Sequence, residues 1–239
     1  MKDYSELCHI VVAAGEGSRF GSKLPKQFLE LEGKPVVVRA VEALMQATPG
    51  AGMIVVVSGR YESLWRDMAA RFGHDDVITV LGGATRYESV SNALGKVGRG
   101  VRLISVHDGA RPLVTERVII DAIDRCSGAS EGFCGAVPVV AVTDSLRRLD
   151  GRGAERSESV DRSLYVAVQT PQVFPADKLI EAYHKAENEG YGPLLTDDAS
   201  AIERAFGLVP LLSVGDPDNI KITHPSDLLR AEAVMAGRK

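Results

Sequence analysis

The sequence predicts an α/β protein with a mostly parallel sheet covered by helices on both faces. Three observations carry that expectation. Apolar runs rich in β-branched residues recur at Ile10 to Ala13, Met53 to Val57, Val77 to Leu81, Val101 to Val106 and Gly135 to Val140. Segments of helical period separate them, and a glycine-rich turn follows the first run directly. Strands buried on both faces read as near-continuous apolar stretches, and their alternation with helical segments is what βαβ crossovers produce. The 239 residues are 45% hydrophobic and 25% charged, enough to bury a substantial core. No linker, repeat or low-complexity tract divides them, so one domain over residues 1–239 is expected.

Taken in order, the first strand runs into Ala13-Ala14-Gly15-Glu16-Gly17-Ser18-Arg19-Phe20-Gly21, followed by Lys23, Pro25 and Lys26. Glycines let backbone N–H groups approach anionic oxygens, and Arg19, Lys23 and Lys26 supply the countercharge of a polyphosphate. The spacing excludes the commoner phosphate loops. Gly15, Gly17 and Gly21 are one residue too long for the dinucleotide fingerprint, Pro25 interrupts a helix starting here, and Gly21-Ser22-Lys23 reverses the end of a Walker loop. Between Tyr61 and Phe72, Tyr61, Leu64, Trp65, Met68, Ala69 and Phe72 share a helical face, which reads as core.

A second glycine turn, Gly82-Gly83-Ala84-Thr85-Arg86, leads to a helix carrying Ser89; a plain strand-to-helix connection fits it as well as ligand recognition does. The run Val101 to Val106 ends in His107-Asp108-Gly109-Ala110-Arg111-Pro112, placing polar groups at a strand's carboxyl end, where α/β folds put ligands. His107 reads as a structural neighbour. Thr115 is placed to cap a helix burying Val118, Ile119, Ala122 and Ile123. From Thr143 to Asp161 the sequence turns polar around Asp150-Gly151, a hairpin signal without a hydrophobic face of its own. Such a ribbon either lies on a partner or is a mobile surface loop.

A net charge of -4 argues against general nucleic-acid binding, which needs a basic face. The longest apolar stretch, Phe133 to Val142, is too short to span a bilayer, and MKDYSEL has no signal-peptide core, so no membrane partner is expected. Cys8, Cys126 and Cys134 form neither a disulfide framework nor a zinc pattern and read as buried thiols of a cytoplasmic protein.

The run AAGEGSRFGSKLPKQFLELEGKPV resembles the nucleotidyltransferase signature, and its PKQF variant resembles the 2-C-methyl-D-erythritol 4-phosphate cytidylyltransferase family. VHDGARP (Val106 to Pro112), QTPQ (Gln169 to Gln172), TDDAS (Thr196 to Ser200) and DNIKIT (Asp218 to Thr223) fit the same family in the same order. The resemblance implies a Rossmann-like fold with a protruding hairpin arm at about 141–162. It also implies cytidylyl transfer from CTP to 2-C-methyl-D-erythritol 4-phosphate, a Mg²⁺ cofactor, and a homodimer joined through the arm.

An attacking phosphate is already ionised at neutral pH, so the chemistry needs cations and backbone donors and no acid–base triad. Arg19 and Lys26 are the candidates for the triphosphate, Arg by its fork geometry and Lys as a point charge. The resemblance adds Lys221 at the α-phosphate; on pattern alone, the exposed position of an edge strand fits Lys221 equally. It implies a CTP pocket from Ala13, Ala14, Gly15, Gly17, Ser18, Gly82, Ser89 and Asp108, with cytosine read by backbone at Ala13, Ala14 and Gly82 and by the Ser89 hydroxyl. For the acceptor it implies Asp108, Arg111, Ser145, Arg162, Thr170, Thr196 and Lys221, with Arg111 and Ser145 acting in cis or across the dimer. Asp108 is the candidate metal contact, with Mg²⁺ held mainly by the triphosphate. The rival activities are ribitol 5-phosphate cytidylyl transfer and a non-enzymatic nucleotide-binding module.

Overall fold

The computed structural model describes residues 2–15 and 24–238. In chain order the elements are β1 (Leu7–Ala13), β2 (Glu30–Leu31), β3 (Lys34–Pro35), α1 (Val36–Ala47), β4 (Gly52–Val57), α2 (Glu62–Arg71), β5 (Ile78–Leu81), α3 (Arg86–Leu94), β6 (Leu103–Asp108) and α4 (Glu116–Ser127). There follow β7 (Phe133–Ala141), β8 (Arg147–Leu149), β9 (Ser157–Ser159), β10 (Val166–Val168), β11 (Gln172–Pro175), α5 (Ala176–Asn188), α6 (Asp198–Phe206), β12 (Val209–Val214) and α7 (Pro225–Gly237).

The main sheet is ordered β10-β7-β11-β6-β1-β4-β5, with β12 also paired to β7. Strands β6, β1, β4 and β5 are parallel, as is the β7–β12 pair. The sheet is mostly parallel as expected; the exceptions are β10 and β11, which run antiparallel to β7, β11 also antiparallel to β6. The chain leaves β7 and comes back at β10 without a crossover helix, and only a crossover makes neighbouring strands parallel.

The two faces of the sheet bury separate clusters. Leu7, Val11 and Ala13 of β1 pack with Val37 and Leu44 of α1, Trp65 of α2 and Ile119 of α4, so the aromatic stripe of α2 is core as expected. Ile10 and Ile54 pack with Val90 of α3, Leu179 of α5 and Ile202 of α6. A smaller cluster joins Leu31, Val36 and Leu113 to Ile222 and to Ala231 of α7, tying the chain's last turns to the sheet's carboxyl end. Thr115 does occupy the cap position of α4, but its side chain makes no capping hydrogen bond.

The polar segment forms the expected hairpin, β8 against β9. Asp150-Gly151 is not its two-residue turn: Leu149 pairs with Ser157, so a wide loop over 150–156 intervenes, closed by Asp150 N–H donating to the Arg156 carbonyl at 3.2 Å. The ladder is polar apart from Leu149, and the chain after it is not. Leu149, Leu164, Tyr165, Val166 and Val168 are exposed, Leu164 at 80%.

Candidate active site

The carboxyl ends of β1 and β6 form the floor of a cavity of about 630 Å³. Ala13, Ala14, Gly15, Lys26, Ser89, Asp108 and Lys221, drawn from distant segments, all line it. Arg86 and Gln27 line it as well. Gly17, Ser18 and Arg19 of the expected nucleotide site lie outside the described residues, as do Gly21 and Lys23.

Asp108 is the electrostatic centre. Its Oδ2 lies 2.9 Å from Lys221 Nζ and 3.3 Å from Arg111 Nε. Burial alone would raise the pKa of this carboxyl, but Lys221, Arg86 and Arg111 outweigh it and hold Asp108 ionised well below the usual carboxylate range. Lys221 is not on a strand. It sits in an irregular segment whose next residue, the fully buried Ile222, donates its N–H to the Ala110 carbonyl at 2.8 Å. That anchor seats the lysine beside Asp108.

Arg111 turns inward, donating from Nη1 to the Asn219 carbonyl at 2.7 Å as well as meeting Asp108. Thr170 is buried away from the cavity wall, and its hydroxyl accepts the Asp108 N–H at 3.1 Å. His107 explains the rest of that arrangement. Its Nε2 faces the Arg111 carbonyl at 3.1 Å, which can only accept, so the proton is on Nε2 and Nδ1 accepts from the Thr170 hydroxyl at 3.0 Å. Burial pushes the His107 pKa down to about 4, keeping the ring neutral as this pattern requires.

The nucleotide end is equally tight. A Cβ on Gly82 would stand 2.5 Å from Ala14 Cβ and 2.8 Å from Ser89 Oγ, so only glycine permits this approach. The Ser89 hydroxyl is engaged within its own loop, accepting Gly83 N–H at 3.2 Å and donating to the Thr85 carbonyl at 2.9 Å. Gln27, buried beside Lys26, donates its amide to the carbonyls of Ala13 at 2.6 Å and Gly15 at 2.7 Å, fixing the exit of β1. Sequence reasoning passed over Gln27, although PKQF contains it.

It also passed over what QTPQ and TDDAS do. Gln169 holds the turn before Asn219 by bonds to the backbone of Asp216 at 2.8 and 3.1 Å. Gln172 accepts the N–H groups of Asp198 and Ala199 and donates to Asp197. Ser145, Arg162 and Thr196 are exposed and do not line the central cavity. Arg162 donates to the Thr143 carbonyl at the base of the hairpin, and Thr196 borders a separate hollow beside Val168 and Leu212.

Among the described residues no three His, Cys, Asp or Glu side chains group as a metal cage. A hard ion that keeps most of its ligands from phosphate and water needs only one or two carboxylates. Asp108 fits that demand: it is ionised, and both of its ion pairs fall on Oδ2. Also among the described residues, no helix is long and apolar enough to cross a membrane.

A family model described as 2-C-methyl-D-erythritol 4-phosphate cytidylyltransferase matches residues 7–237. The enzyme of that name from Bacteroides fragilis is 40% identical over 227 residues, 95% of this chain and 98% of its own. That from Geobacillus thermodenitrificans is 38% identical over 230 residues, 96% of each. The crystal structure of 2-C-methyl-D-erythritol 4-phosphate cytidylyltransferase from Thermus thermophilus superposes with a TM-score of 0.75 at 28% identity, covering 95% of this chain and 98% of that one.

Proposed function

The chain belongs to the 2-C-methyl-D-erythritol 4-phosphate cytidylyltransferase family, and from that premise we propose how its residues divide the work. The enzyme transfers the cytidylyl group of CTP to 2-C-methyl-D-erythritol 4-phosphate, releasing pyrophosphate, a step of isoprenoid biosynthesis. Its relatives carry the methylerythritol name, which disfavours both the ribitol 5-phosphate reading and the non-enzymatic one.

The acceptor phosphate is the nucleophile and arrives ionised, so the protein's task is to align two anions and stabilise the charge that grows on the α-phosphate. Lys26, with Arg19, meets the triphosphate. Lys221 meets the α-phosphate and the acceptor from the other side, oriented by its 2.9 Å contact with Asp108. Asp108 accepts hydroxyls of the polyol and ribose. Thr170 and His107 hold the Asp108 backbone, and Arg111 steadies its carboxylate and serves the acceptor phosphate. Cytosine fits against the Ala13, Ala14, Gly15 and Gly82 backbone, where a Cβ on Gly82 would press on Ala14 and Ser89. On this reading CTP is preferred to ATP.

Mg²⁺ is the proposed cofactor, held by triphosphate oxygens and by Asp108; when bound it neutralises phosphate charge and draws electron density from the α-phosphorus. Residues 1–239 act as one domain, and residues at about 141–162 form a dimerisation arm. Leu164, Tyr165, Val166 and Val168, immediately after that arm, add the apolar surface a partner needs. Ser145, Arg162 and Thr196, which do not line their own chain's cavity, serve the neighbour's acceptor site. Three free buried cysteines suit a cytoplasmic setting.

The observation that carries this reading is the meeting of Lys26, Lys221 and Asp108 in one cavity. Pyrophosphate release with CTP and each polyol phosphate in turn tests it. Faster release with ribitol 5-phosphate than with 2-C-methyl-D-erythritol 4-phosphate would overturn the acceptor assignment.

A further inference from the structure

One charged pair bordering the cavity has no part in the division of labour above. Arg86, the first residue of α3, donates from Nη1 to Asp198 Oδ1 at 3.2 Å and from Nη2 to Asp198 Oδ2 at 2.6 Å, a bidentate fork. The Asp198 side chain has no exposed surface, whereas that of Arg86 keeps 30% of its own and lines the cavity. Asp198 is held by further contacts of both side chain and backbone. Tyr183 donates its hydroxyl to Oδ1 at 2.7 Å, and Gln172 accepts the Asp198 N–H at 3.2 Å. The Tyr183 ring in turn stacks on Tyr87, the residue after Arg86, with centroids 5.3 Å apart. Three segments of distant sequence therefore converge to fix one guanidinium.

A buried ion pair is a poor source of net stability, because desolvating both charges offsets most of their attraction. It is a good source of orientation. A guanidinium has five N–H donors and Asp198 engages two, which leaves three on a group that borders the cavity and interacts electrostatically with Asp108 within it. Planar forks of this kind match phosphate oxygens.

We propose that Arg86 is a phosphate ligand of this site and that Asp198, buried outside the cavity, is the positioning residue that aims it. The phosphate belongs either to the nucleotide or to the acceptor. The proposal rests on the reading of the cavity as the cytidylyl-transfer site, and wild-type pyrophosphate release with CTP and 2-C-methyl-D-erythritol 4-phosphate tests that reading separately.

Steady-state kinetics with each substrate varied in turn, beside thermal melting, tests the proposal on Arg86→Met, Asp198→Asn, Tyr183→Phe and the Arg86→Met/Asp198→Asn double variant. Loss of a charge-assisted hydrogen bond should raise a KM by about tenfold or more in Asp198→Asn, and by a few-fold in Tyr183→Phe. The substrate whose KM rises identifies which phosphate Arg86 meets. Because Asp198 acts through Arg86, the double variant should be no worse than Arg86→Met alone. Wild-type KM values for both substrates in Asp198→Asn and Tyr183→Phe, whatever their melting temperatures, would reduce the pair to a brace between α3 and α6. Additive losses in the double variant would overturn the positioning role. Should Asp198→Asn not fold, Tyr183→Phe decides alone, and unchanged KM values there overturn the proposal.

Discussion

The strands β6, β1 and β4 and the strands β8, β9 and β10 belong to one chain but obey opposite rules of burial. Every residue of β1 but Val12 is buried, and β4 and β6 are buried after their first residue. No residue of β8, β9 or β10 is buried, although β10 reads Val-Ala-Val. An apolar strand exposed on the edge of a sheet costs solubility and invites pairing unless something covers it. On the proposed reading, the buried parallel strands carry the chemistry and the exposed antiparallel margin carries the contact with a second copy.

The largest effect expected from this contrast lies in the parallel half. Lys26→Ala should lower turnover by roughly a hundredfold to a thousandfold, the usual loss for one preorganised donor at developing charge, with the melting temperature and the sedimentation of the protein unchanged. Lys221→Ala should behave alike and also release Asp108 from its nearest cation. Near-normal turnover of the purified Lys26→Ala protein would remove that residue from the chemistry and leave the parallel half a mere scaffold.

The same contrast decides what was legible in the sequence. The parallel strands announced themselves as near-continuous apolar runs, because burial on both faces leaves few polar positions to interrupt them, His9 and Ser105 being exceptions. The antiparallel entry of β11 had no local signal, since strand direction depends on how the chain returns from the arm. At the site, Lys26, Asp108 and Lys221 were legible as residue types in familiar runs, but the 2.9 Å pairing of Asp108 with Lys221 was not, because it is made by folding. Arg86 and Asp198 were overlooked for the same reason, although an arginine closing a glycine turn and a doubled aspartate in TDDAS are both unusual enough to notice. Thr170 and Ser89 read as ligand hydroxyls, and the structure shows both engaged with protein groups.

The next effect also separates the halves, through buried histidines. His107 and His9, on β6 and β1, are wholly buried, and burial lowers their pKa values to about 4 and about 3, with His107 further disfavouring charge on His9. Each binds its proton more weakly folded than unfolded, where 6.5 applies. Their contribution is therefore complete above pH 6.5 and is lost as pH falls toward the folded values. Between about pH 7 and pH 5 each should cost about 2 kcal/mol of unfolding free energy, at ~1.4 kcal/mol per unit of pH. Urea midpoints at the two pH values measure this, and His107→Asn should flatten the dependence by its share. Equal stability at both pH values would show that these rings are not held neutral.

The smallest effect on the single chain is expected at the margin, and it bears most directly on assembly. Leu164 is exposed at 80%, so Leu164→Glu and Leu164→Lys remove almost no burial and should change the stability of the chain by no more than ~0.5 kcal/mol. If Leu164 faces a second copy, the new charge would have to be buried unpaired in the dimer, and sedimentation should shift toward monomer. Shortening the loop by deleting 149–157 and rejoining the chain should act in the same direction. Loss of the partner should then raise the KM for the acceptor more than that for CTP, because Ser145, Arg162 and Thr196 lie outside their own chain's cavity while Ala13, Ala14, Gly15 and Lys26 line it. A monomer with unchanged kinetics for both substrates would leave the burial contrast standing but strip it of function, making the hairpin a surface loop and the active site the property of one chain.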